Sequence, residues 1–463
     1  MTTLTGGNWP TLLRLAFALL VGALLAGGAR AETDDMHILI GSYTHDSDSP
    51  GILRLRFDPA TGQIDPKPVQ TLTSDNPSWL VLDDKRGRLY ATNENGPAHA
   101  DPVGRVSAWQ LDSSSEHQLI GQNISLGDEP THASLSHDGR YLFISNYGSR
   151  PNPGGSLAVM PLAEDGHPLP VTQILAHQSS GVHPERQRSA HVHSAVPSPD
   201  GKRLLVSDLG ADRVFVYRYD PQNSERPLQA DEPASIELPP GSGPRHLVFH
   251  PNGKHAYLAL ELSAQVASFD YANGTLTRRQ LLDLKSAGSD VRHSPGAIHS
   301  SADGRFLYVS DRGDYNHIVA FAIEADGTLR EIQRRPSEGR EPREFAITAD
   351  GRFMLIANQL SDELVVIRRD PDSGKLGEKL QTLTVGRPSD IKLLSGKGSG
   401  QQADHREAAD IGLRHHRLGD GRVAGGAALH QVEHRVGEVL CPLLLIDIGL
   451  LRQELADLAL TLA

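Results

Sequence analysis

The chain has 463 residues, and its 38% hydrophobic and 22% charged residues are typical of a folded globular protein, not of a disordered chain. The formal net charge of −12 argues against a nucleic-acid binder, because such proteins usually carry a basic surface. The single cysteine, Cys441, excludes an internal disulfide framework and any metal site built from several cysteines. The 45 glycines and 30 prolines favour many short strands over long helices.

Residues 1–31 have the pattern of a secretory signal peptide. Arg14 precedes an apolar run over residues 15–26, which is short for a membrane span, and the segment ends in the small-x-small sequence Ala29-Arg30-Ala31. We therefore expect cleavage after Ala31 and a periplasmic or secreted protein with no stable membrane insertion. The alternative is an uncleaved N-terminal anchor.

One sequence unit occurs six times between residues 77 and 358. Each copy reads as a strand, a turn that ends in glycine, a second strand, and a third strand before a polar loop. The marker glycines of these turns are 47 to 62 residues apart: Gly87, Gly139, Gly201, Gly253, Gly304 and Gly351. Three to four strands in each repeat of about 50 residues predict an all-β fold of the β-propeller type.

The two ends of this region supply a seventh unit. Residues 387–394 resemble a first strand, whereas residues 37–44 and 51–57 resemble a second and a third strand. The sequence therefore predicts a seven-bladed β-propeller over residues 35–394, closed by pairing of N- and C-terminal strands so that no sheet edge stays open there. A parallel β-helix is the rival fold, but its repeats are usually far shorter.

Residues 395–463 fit no blade. They open with the flexible linker Ser395-Gly-Lys-Gly-Ser-Gly400 and continue into a Leu-rich stretch. We interpret them as a linker and an atypical tail that is not native to the propeller, such as the product of a shifted reading frame. A small helical appendix is the alternative.

Two sets of repeat positions gather polar side chains. Counting back eight residues from five of the marker glycines gives the first set: Thr131, His193, Arg245, Gly296 and Arg343. The ends of the second strands give the other set: Asn93, Asn146, Asp208, Glu261, Asp311 with Arg312, and Asn358. If the blades superpose, each set surrounds the central channel. Because arginine binds carboxylate or phosphate with two parallel hydrogen bonds, this content favours an anionic ligand or a lactone.

The motifs around these positions resemble a known family. They are His191-Val-His193-Ser194, Gly243-Pro244-Arg245-His246 and Gly339-Arg-Glu-Pro-Arg-Glu-Phe-Ala-Ile347. They are similar to motifs of the bacterial seven-bladed propeller lactonases of the 6-phosphogluconolactonase type, which are related to fungal carboxymuconate-lactonizing enzymes. The resemblance covers residues 37–394 and implies hydrolysis of a sugar-type, anionic small-molecule lactone without cofactor or metal. The signal peptide departs from the usual cytosolic setting of phosphogluconolactone chemistry.

The same resemblance implies four catalytic residues: His193, Glu261, Arg245 and Arg312. His193 has the unperturbed pKa of a general base that works near neutral pH. The two arginines would hold the anionic group or stabilise the oxyanion, and the carboxyl group would donate a proton or orient the histidine. We assign substrate binding to four further residues: Arg343, His132, His246 and Asn146.

Each assignment has a structural alternative. In the structural alternative, His193 is a hydrogen-bonding residue between blades, and Glu261 forms a salt bridge with Arg245 in the channel. Asp208 and Asp212 are expected to fix turns.

Several chemical and functional alternatives also remain. A metal site at His191-Val-His193 is one alternative, but the sequence places no third ligand near these two histidines. No Gly-x-Ser-x-Gly motif points to a serine nucleophile. The rivals to a lactone hydrolase are a non-catalytic exported propeller that binds a ligand or a partner protein, and a lactonizing cycloisomerase.

Overall fold

The computed structural model describes residues 36–111, 116–148, 155–285 and 290–394. The regular elements of these residues are 29 β-strands and one short 3₁₀ helix, Gln359–Ser361. The predicted signal peptide and the predicted tail lie outside the described residues, so both stay predictions. Within the described ranges, no helix is long and apolar enough to cross a membrane.

Most strands form four-stranded antiparallel sheets that follow one another along the chain. The chain starts with β1 (Met36–Ser42), β2 (Gly51–Asp58), β3 (Gln63–Ile64) and β4 (Gln70–Thr73), which belong to the last blade. Blade 1 contains β5 (Pro77–Asp83), β6 (Arg88–Asn93), β7 (Arg105–Gln110) and β8 (Gln118–Ile124). Blade 2 contains β9 (Pro130–Leu135), β10 (Tyr141–Asn146), β11 (Ser156–Pro161) and β12 (Gln173–Ala176). Blade 3 contains β13 (Val192–Pro197), β14 (Arg203–Asp208), β15 (Arg213–Tyr219) and β16 (Leu228–Glu237).

The remaining blades repeat this order. Blade 4 contains β17 (Pro244–Phe249), β18 (His255–Leu260), β19 (Gln265–Ala272) and β20 (Thr275–Asp283). Blade 5 contains β21 (His293–Ser300), β22 (Phe306–Gly313), β23 (His317–Ile323) and β24 (Leu329–Pro336). Blade 6 contains β25 (Pro342–Ile347), β26 (Phe353–Asn358), β27 (Glu363–Arg369) and β28 (Leu376–Thr384). The final strand is β29 (Pro388–Leu394).

Blade 7 closes the ring with strands from both ends of the described chain. β1 pairs with β2 on one side and with β29 on the other, where His37 lies opposite Leu394 and Ile40 opposite Ile391. The first strands of neighbouring blades contact one another around the whole ring. The predicted seven-bladed all-β propeller and its closure are therefore confirmed.

The core lies between neighbouring blades. Second strands are buried along nearly their whole length because neighbouring blades cover both of their faces, as in β22, whereas the fourth strands carry exposed residues. Between blades 4 and 5, for example, Tyr257, Leu307 and Phe321 pack together with at most 1% exposure. Full burial of one such side chain stabilises the fold by about 1.5–3 kcal/mol, and this packing is repeated at each blade interface.

The marker glycines sit in the turns between first and second strands. Their φ angles lie between 61° and 72°, a left-handed conformation that is costly for other residues. The same turn recurs because the residue before glycine caps it, as where Asp303 accepts hydrogen bonds from Ser301 Oγ and from the backbone N–H of Arg305. The spacing of these turns made the blade count readable from the sequence.

Candidate active site at the channel mouth

Two rings of residues surround one end of the central channel, which we call the mouth. The C-terminal part of each second strand pairs with the start of the first strand of its blade, as Leu260 pairs with Pro244. One residue further along each first strand lies the first ring: Ser78, Thr131, His193, Arg245, Gly296, Arg343 and Ser389. One residue after the second-strand member of each such pair lies the second ring: Tyr43, Glu94, Tyr147, Leu209, Glu261, Arg312 and Gln359.

The carboxylate of Glu261 lies at the centre of the most highly charged part of the mouth. Its Oε2 atom is 3.2 Å from Arg245 Nε, 3.2 Å from Arg312 Nη2 and 3.9 Å from His193 Nε2. The exposed fraction of each of these four side chains is 7% or less. Blades 3, 4 and 5 thus bring the four predicted catalytic residues together.

A loop residue completes the contacts of this carboxylate. Arg186, in the segment between β12 and β13, donates a hydrogen bond of 2.8 Å to Glu261 Oε1. The same guanidinium group donates to the hydroxyl oxygen of Tyr147 at 2.9 Å. The Tyr147 ring contacts His193 edge-on, with 5.2 Å between ring centroids. Tyr147 and Arg186 therefore belong to the site.

The electrostatics of the cluster fix two protonation states. Burial opposes the charge of Glu261, but Arg312, Arg186 and Arg245 outweigh it and hold the pKa of this carboxyl far below its usual range. Burial, aided by the charge of Arg245, lowers the pKa of His193 well below 6.5. At neutral pH the site therefore holds an ionised carboxylate beside an uncharged imidazole.

Arg245 keeps its charge, and Arg312 and Tyr147 have further partners or properties that fit the cluster. Burial and the neighbouring Arg312 lower the pKa of Arg245, to about 9, which still leaves it protonated at neutral pH. Arg312 is held from a second side by Glu341, whose Oε1 atom is 3.2 Å from Nη1. Burial raises the pKa of the Tyr147 hydroxyl, so this group stays a hydrogen-bond donor.

Arg343 lies on the other side of the mouth, in blade 6. Its guanidinium group stands over the Tyr43 ring, 5.0 Å from the centroid, and its Nη2 atom is 3.6 Å from Glu94 Oε2. Tyr43 donates a hydrogen bond of 2.8 Å to the same carboxylate. Arg343 donates no hydrogen bond to another described residue, so its N–H groups remain free for a ligand.

Two of the predicted substrate-binding residues lie deeper in the channel. The ring of His246 is 5.2 Å from that of His193, and its Nδ1 atom accepts a hydrogen bond from Arg245. His132 contacts Trp79 with 4.5 Å between ring centroids, and burial lowers its pKa to about 3. Both histidines are uncharged at neutral pH, since burial also holds the pKa of His246 well below its usual value.

Asn146 lies outside the group around Glu261. Its side chain is 1% exposed, and its amide donates to the backbone oxygen of Ser125 and to Ser156 Oγ at 3.3 Å each. Asp212 fixes a turn as expected, since its carboxylate accepts the N–H groups of Gly241 and Gly243.

Sequence reasoning missed Tyr147, Glu94, Tyr43 and Arg186. The second ring was placed at the last residue of most second strands, whereas the mouth is lined by the residue after it. That residue stands eight positions after the marker glycine in five blades, and this count finds Tyr147 along with Glu261 and Arg312. Arg186 belongs to a loop outside the repeat, where no count applies.

The described residues contain no group of three or more His, Cys, Asp or Glu side chains placed to hold a metal ion. At the position of the alternative histidine pair, His191 Nδ1 bonds to the backbone oxygen of Tyr147 instead. The charged and polar side chains described at the mouth include arginine, carboxylate, phenol and imidazole groups.

A closed seven-bladed propeller with this charged mouth belongs to a defined class of protein. The family described as "Lactonase, 7-bladed beta-propeller" matches residues 37–393, and the chain is a member of this family. Its fold is similar to that of the periplasmic gluconolactonase PpgL of Pseudomonas aeruginosa, with a TM-score of 0.76 and 50% identity. That similarity covers 78% of this chain and 99% of the other.

Two relatives carry the name 6-phosphogluconolactonase. The protein of Formosa agariphila is 32% identical over 365 residues, which cover 77% of this chain and 99% of that protein. The protein of Bacillus subtilis is 31% identical over 360 residues, which cover 77% of this chain and 97% of that protein. Both alignments include nearly the whole relative.

Proposed function

We propose that this chain hydrolyses a sugar lactone at the mouth of its channel, with an activated water as the nucleophile. The observation that carries the proposal is the convergence of His193, Arg245 and Arg312 on the Glu261 carboxylate. Membership in the lactonase family and the names of the relatives support the reaction class.

His193 is the proposed general base. Because burial keeps its imidazole uncharged, it accepts a proton from the attacking water through Nε2. The 3.9 Å between this atom and Glu261 Oε2 is too long for a hydrogen bond but close enough for the carboxylate to stabilise the imidazolium that forms. Glu261 stays ionised, so this role replaces that of a proton donor.

The positive groups stabilise the developing oxyanion. When the water oxygen bonds to the lactone carbonyl carbon, negative charge moves to the carbonyl oxygen, where Arg245 and the Tyr147 hydroxyl provide positive charge and a proton donor. Collapse of this intermediate breaks the ring C–O bond. The leaving oxygen then takes the proton from the His193 imidazolium, which yields the hydroxy acid and restores the neutral base.

Arg343 is the proposed ligand-orienting residue because it retains free N–H groups. We propose an anionic sugar lactone as its partner, held by a bidentate contact. The neighbouring Glu94 carboxylate, 3.6 Å away, offsets part of the positive charge, so a neutral lactone with hydroxyl groups is the competing substrate.

A comparison of two substrates tests the reaction and the substrate charge together. The purified protein is assayed by acid release with glucono-δ-lactone and with its 6-phosphate, against the uncatalysed rate of each. Turnover of either lactone supports hydrolysis, and a higher kcat/KM for the phosphorylated lactone supports the anionic substrate. Binding without turnover of either compound, or of a set of γ-lactones, would instead identify a non-catalytic propeller.

Export is the proposed location, as the signal-peptide pattern of residues 1–31 indicates. The solved relative named as periplasmic is consistent with this proposal. N-terminal sequencing of exported protein should begin at Glu32, and a sequence that begins at Met1 would contradict the cleavage.

A further inference from the structure

A buried histidine–aspartate pair stands directly behind Arg312, outside the mouth. His293 Nδ1 is 2.6 Å from Asp311 Oδ2, and both side chains have 0% exposure. The other carboxylate oxygen, Oδ1, accepts a hydrogen bond of 3.0 Å from the backbone N–H of Ser294. Asp311 thus fixes two consecutive residues at the start of β21, and it does not contact Glu261.

Ser294 in turn holds the guanidinium group of Arg312. Its backbone oxygen accepts from Arg312 Nε and its hydroxyl oxygen accepts from Arg312 Nη2, both at 3.0 Å. Two contacts on one edge of a planar group fix its orientation as well as its position. The same Nη2 atom is the one that lies 3.2 Å from Glu261 Oε2.

The propeller does not need a carboxylate at this position in order to close its blades. The equivalent residues in blades 1, 2 and 6 are asparagines, and each donates from its amide to the backbone oxygen of a preceding loop: Asn93, Asn146 and Asn358. A buried carboxylate is more costly to desolvate than an amide. An aspartate at this position therefore points to a role beyond closing the blade.

The other aspartate at this position stands on the opposite side of the site. In blade 3, Asp208 pairs with His177 Nδ1 at 2.8 Å and accepts the N–H group of His191 at 2.8 Å. Blades 3 and 5 flank blade 4, which carries Arg245 and Glu261. Each pair thus holds backbone that adjoins a residue of the cluster. Asp311 binds the N–H group of Ser294, which holds Arg312, and Asp208 binds the N–H group of His191, two residues before His193.

We infer that Asp311 and Ser294 are positioning residues for Arg312, which hold its guanidinium plane against Glu261 during lactone hydrolysis. This inference rests on the proposed function. Displacement of a reacting or charge-stabilising group by about 1 Å can cost on the order of 100-fold in rate. The pair should therefore act on turnover more than on the KM value.

A double-mutant cycle separates this role from general support of the fold. Asp311→Ala should lower kcat by about 10- to 100-fold with little change in KM. Because it acts through Arg312, the double variant Asp311→Ala/Arg312→Ala should turn over within about twofold of Arg312→Ala alone. Asp311→Asn, which keeps an acceptor for the Ser294 N–H group, should restore most of the activity.

The matched control lies in the same blade at the opposite end of the same two strands. Asp303 caps the turn between β21 and β22 and does not contact Ser294. Asp303→Ala should leave kcat unchanged, and any effect should add to that of Arg312→Ala. Ser294→Ala is a second, less disruptive variant, expected to lose about threefold in kcat, with recovery in Ser294→Thr.

The outcomes keep the two proposals apart. If the wild-type protein hydrolyses lactones but Asp311→Ala and Ser294→Ala match it, or if their effects add fully to that of Arg312→Ala, the positioning role is wrong. If the wild-type protein shows no hydrolysis, the proposed function fails, and a crystal structure of Asp311→Ala still decides the geometry. In that structure, an Arg312 Nε atom that stays within hydrogen-bond distance of the Ser294 oxygen would overturn the inference.

Discussion

The two sides of the channel mouth use the same repeat positions but pair their charges differently. On one side, Glu261 is surrounded by three arginines and a histidine, and each of those arginines already contacts a group of the protein. On the other side, Arg343 has one carboxylate at 3.6 Å and a tyrosine ring beneath it. In the first arrangement the arginines are already engaged by protein groups, whereas in the second Arg343 donates no hydrogen bond to a described residue.

This difference separates two tasks. Groups that are already fixed by their neighbours stabilise new charge without reorganising, which is what a transition state requires. An arginine with free N–H groups gains hydrogen bonds only when a ligand arrives, which is what substrate selection requires. Changes on the Glu261 side should therefore alter turnover, and changes on the Arg343 side should alter KM.

Removal of the general base should have the largest effect. His193→Ala is expected to lower kcat by about 10²- to 10⁴-fold, the usual contribution of acid–base catalysis, while the melting temperature changes little. Thr131→Ala, at the equivalent position of blade 2, is the control and should retain turnover. Steady-state kinetics of acid release measure both, and a folded His193→Ala protein with near-native kcat would contradict the assignment.

The pH profile tests how the Glu261 side sets the protonation state of the base. A general base acts unprotonated, and burial with the charge of Arg245 lowers the pKa of His193 well below 6.5, so the acid limb of kcat/KM should lie below pH 6.5. Arg245→Gln removes a charge that disfavours the imidazolium. The pKa of His193 should rise, and the acid limb should move to higher pH.

The control for this shift is Arg343→Gln, a neutral replacement of the more distant arginine. Its effect on the acid limb should be smaller, because the charge of Arg343 contributes less to the pKa of His193 than that of Arg245 does. An acid limb that stays in place or moves to lower pH in Arg245→Gln would exclude His193 as the titrating base.

Loss of the free arginine should alter binding instead of turnover. Arg343→Gln should raise KM about tenfold, since a hydrogen bond to a charged group contributes about 1.5–3 kcal/mol, while kcat stays within about twofold. The increase should be larger for a phosphorylated than for a neutral lactone. Arg387→Gln is the matched control, because that guanidinium stands over the same Tyr43 ring at 5.8 Å. A drop in kcat with constant KM in Arg343→Gln would remove the distinction between the two sides.

Much of the fold was predictable because its units repeat. Each marker glycine occupies a turn with positive φ, and the same turn recurs in six blades, so the count and the ring closure followed from the spacing. His193 and Arg245 were predictable for the same reason, since each lies eight residues before the marker glycine of its blade. Because the unit repeats, each predicted position could be compared with the equivalent positions of the other blades.

The remaining site residues depended on details that repetition does not carry. The first and second strands pair through irregular registers at the mouth, as between Pro244 and Leu247, so the residue that lines the mouth could not be told from its neighbour. Arg186 comes from a loop with no counterpart in other blades. The pairing of Arg343 with Tyr43 joins blades 6 and 7, which are distant in sequence and adjacent only after ring closure.

The smallest expected effect concerns how Arg343 is held. Tyr43 offers its ring to the guanidinium and its hydroxyl to Glu94, and burial raises the pKa of that hydroxyl, so it stays protonated and donates. Tyr43→Phe keeps the ring and should change KM by less than about twofold. Tyr43→Leu removes the cation–π contact, which contributes about 0.5–1 kcal/mol at partly exposed sites, and should raise KM by about two- to fivefold. KM values that are raised equally in the two variants would mean that the hydroxyl bond to Glu94, not the ring, sets the position of Arg343. The ligand-binding side would then rely on a hydrogen-bonded carboxylate, as the Glu261 side does.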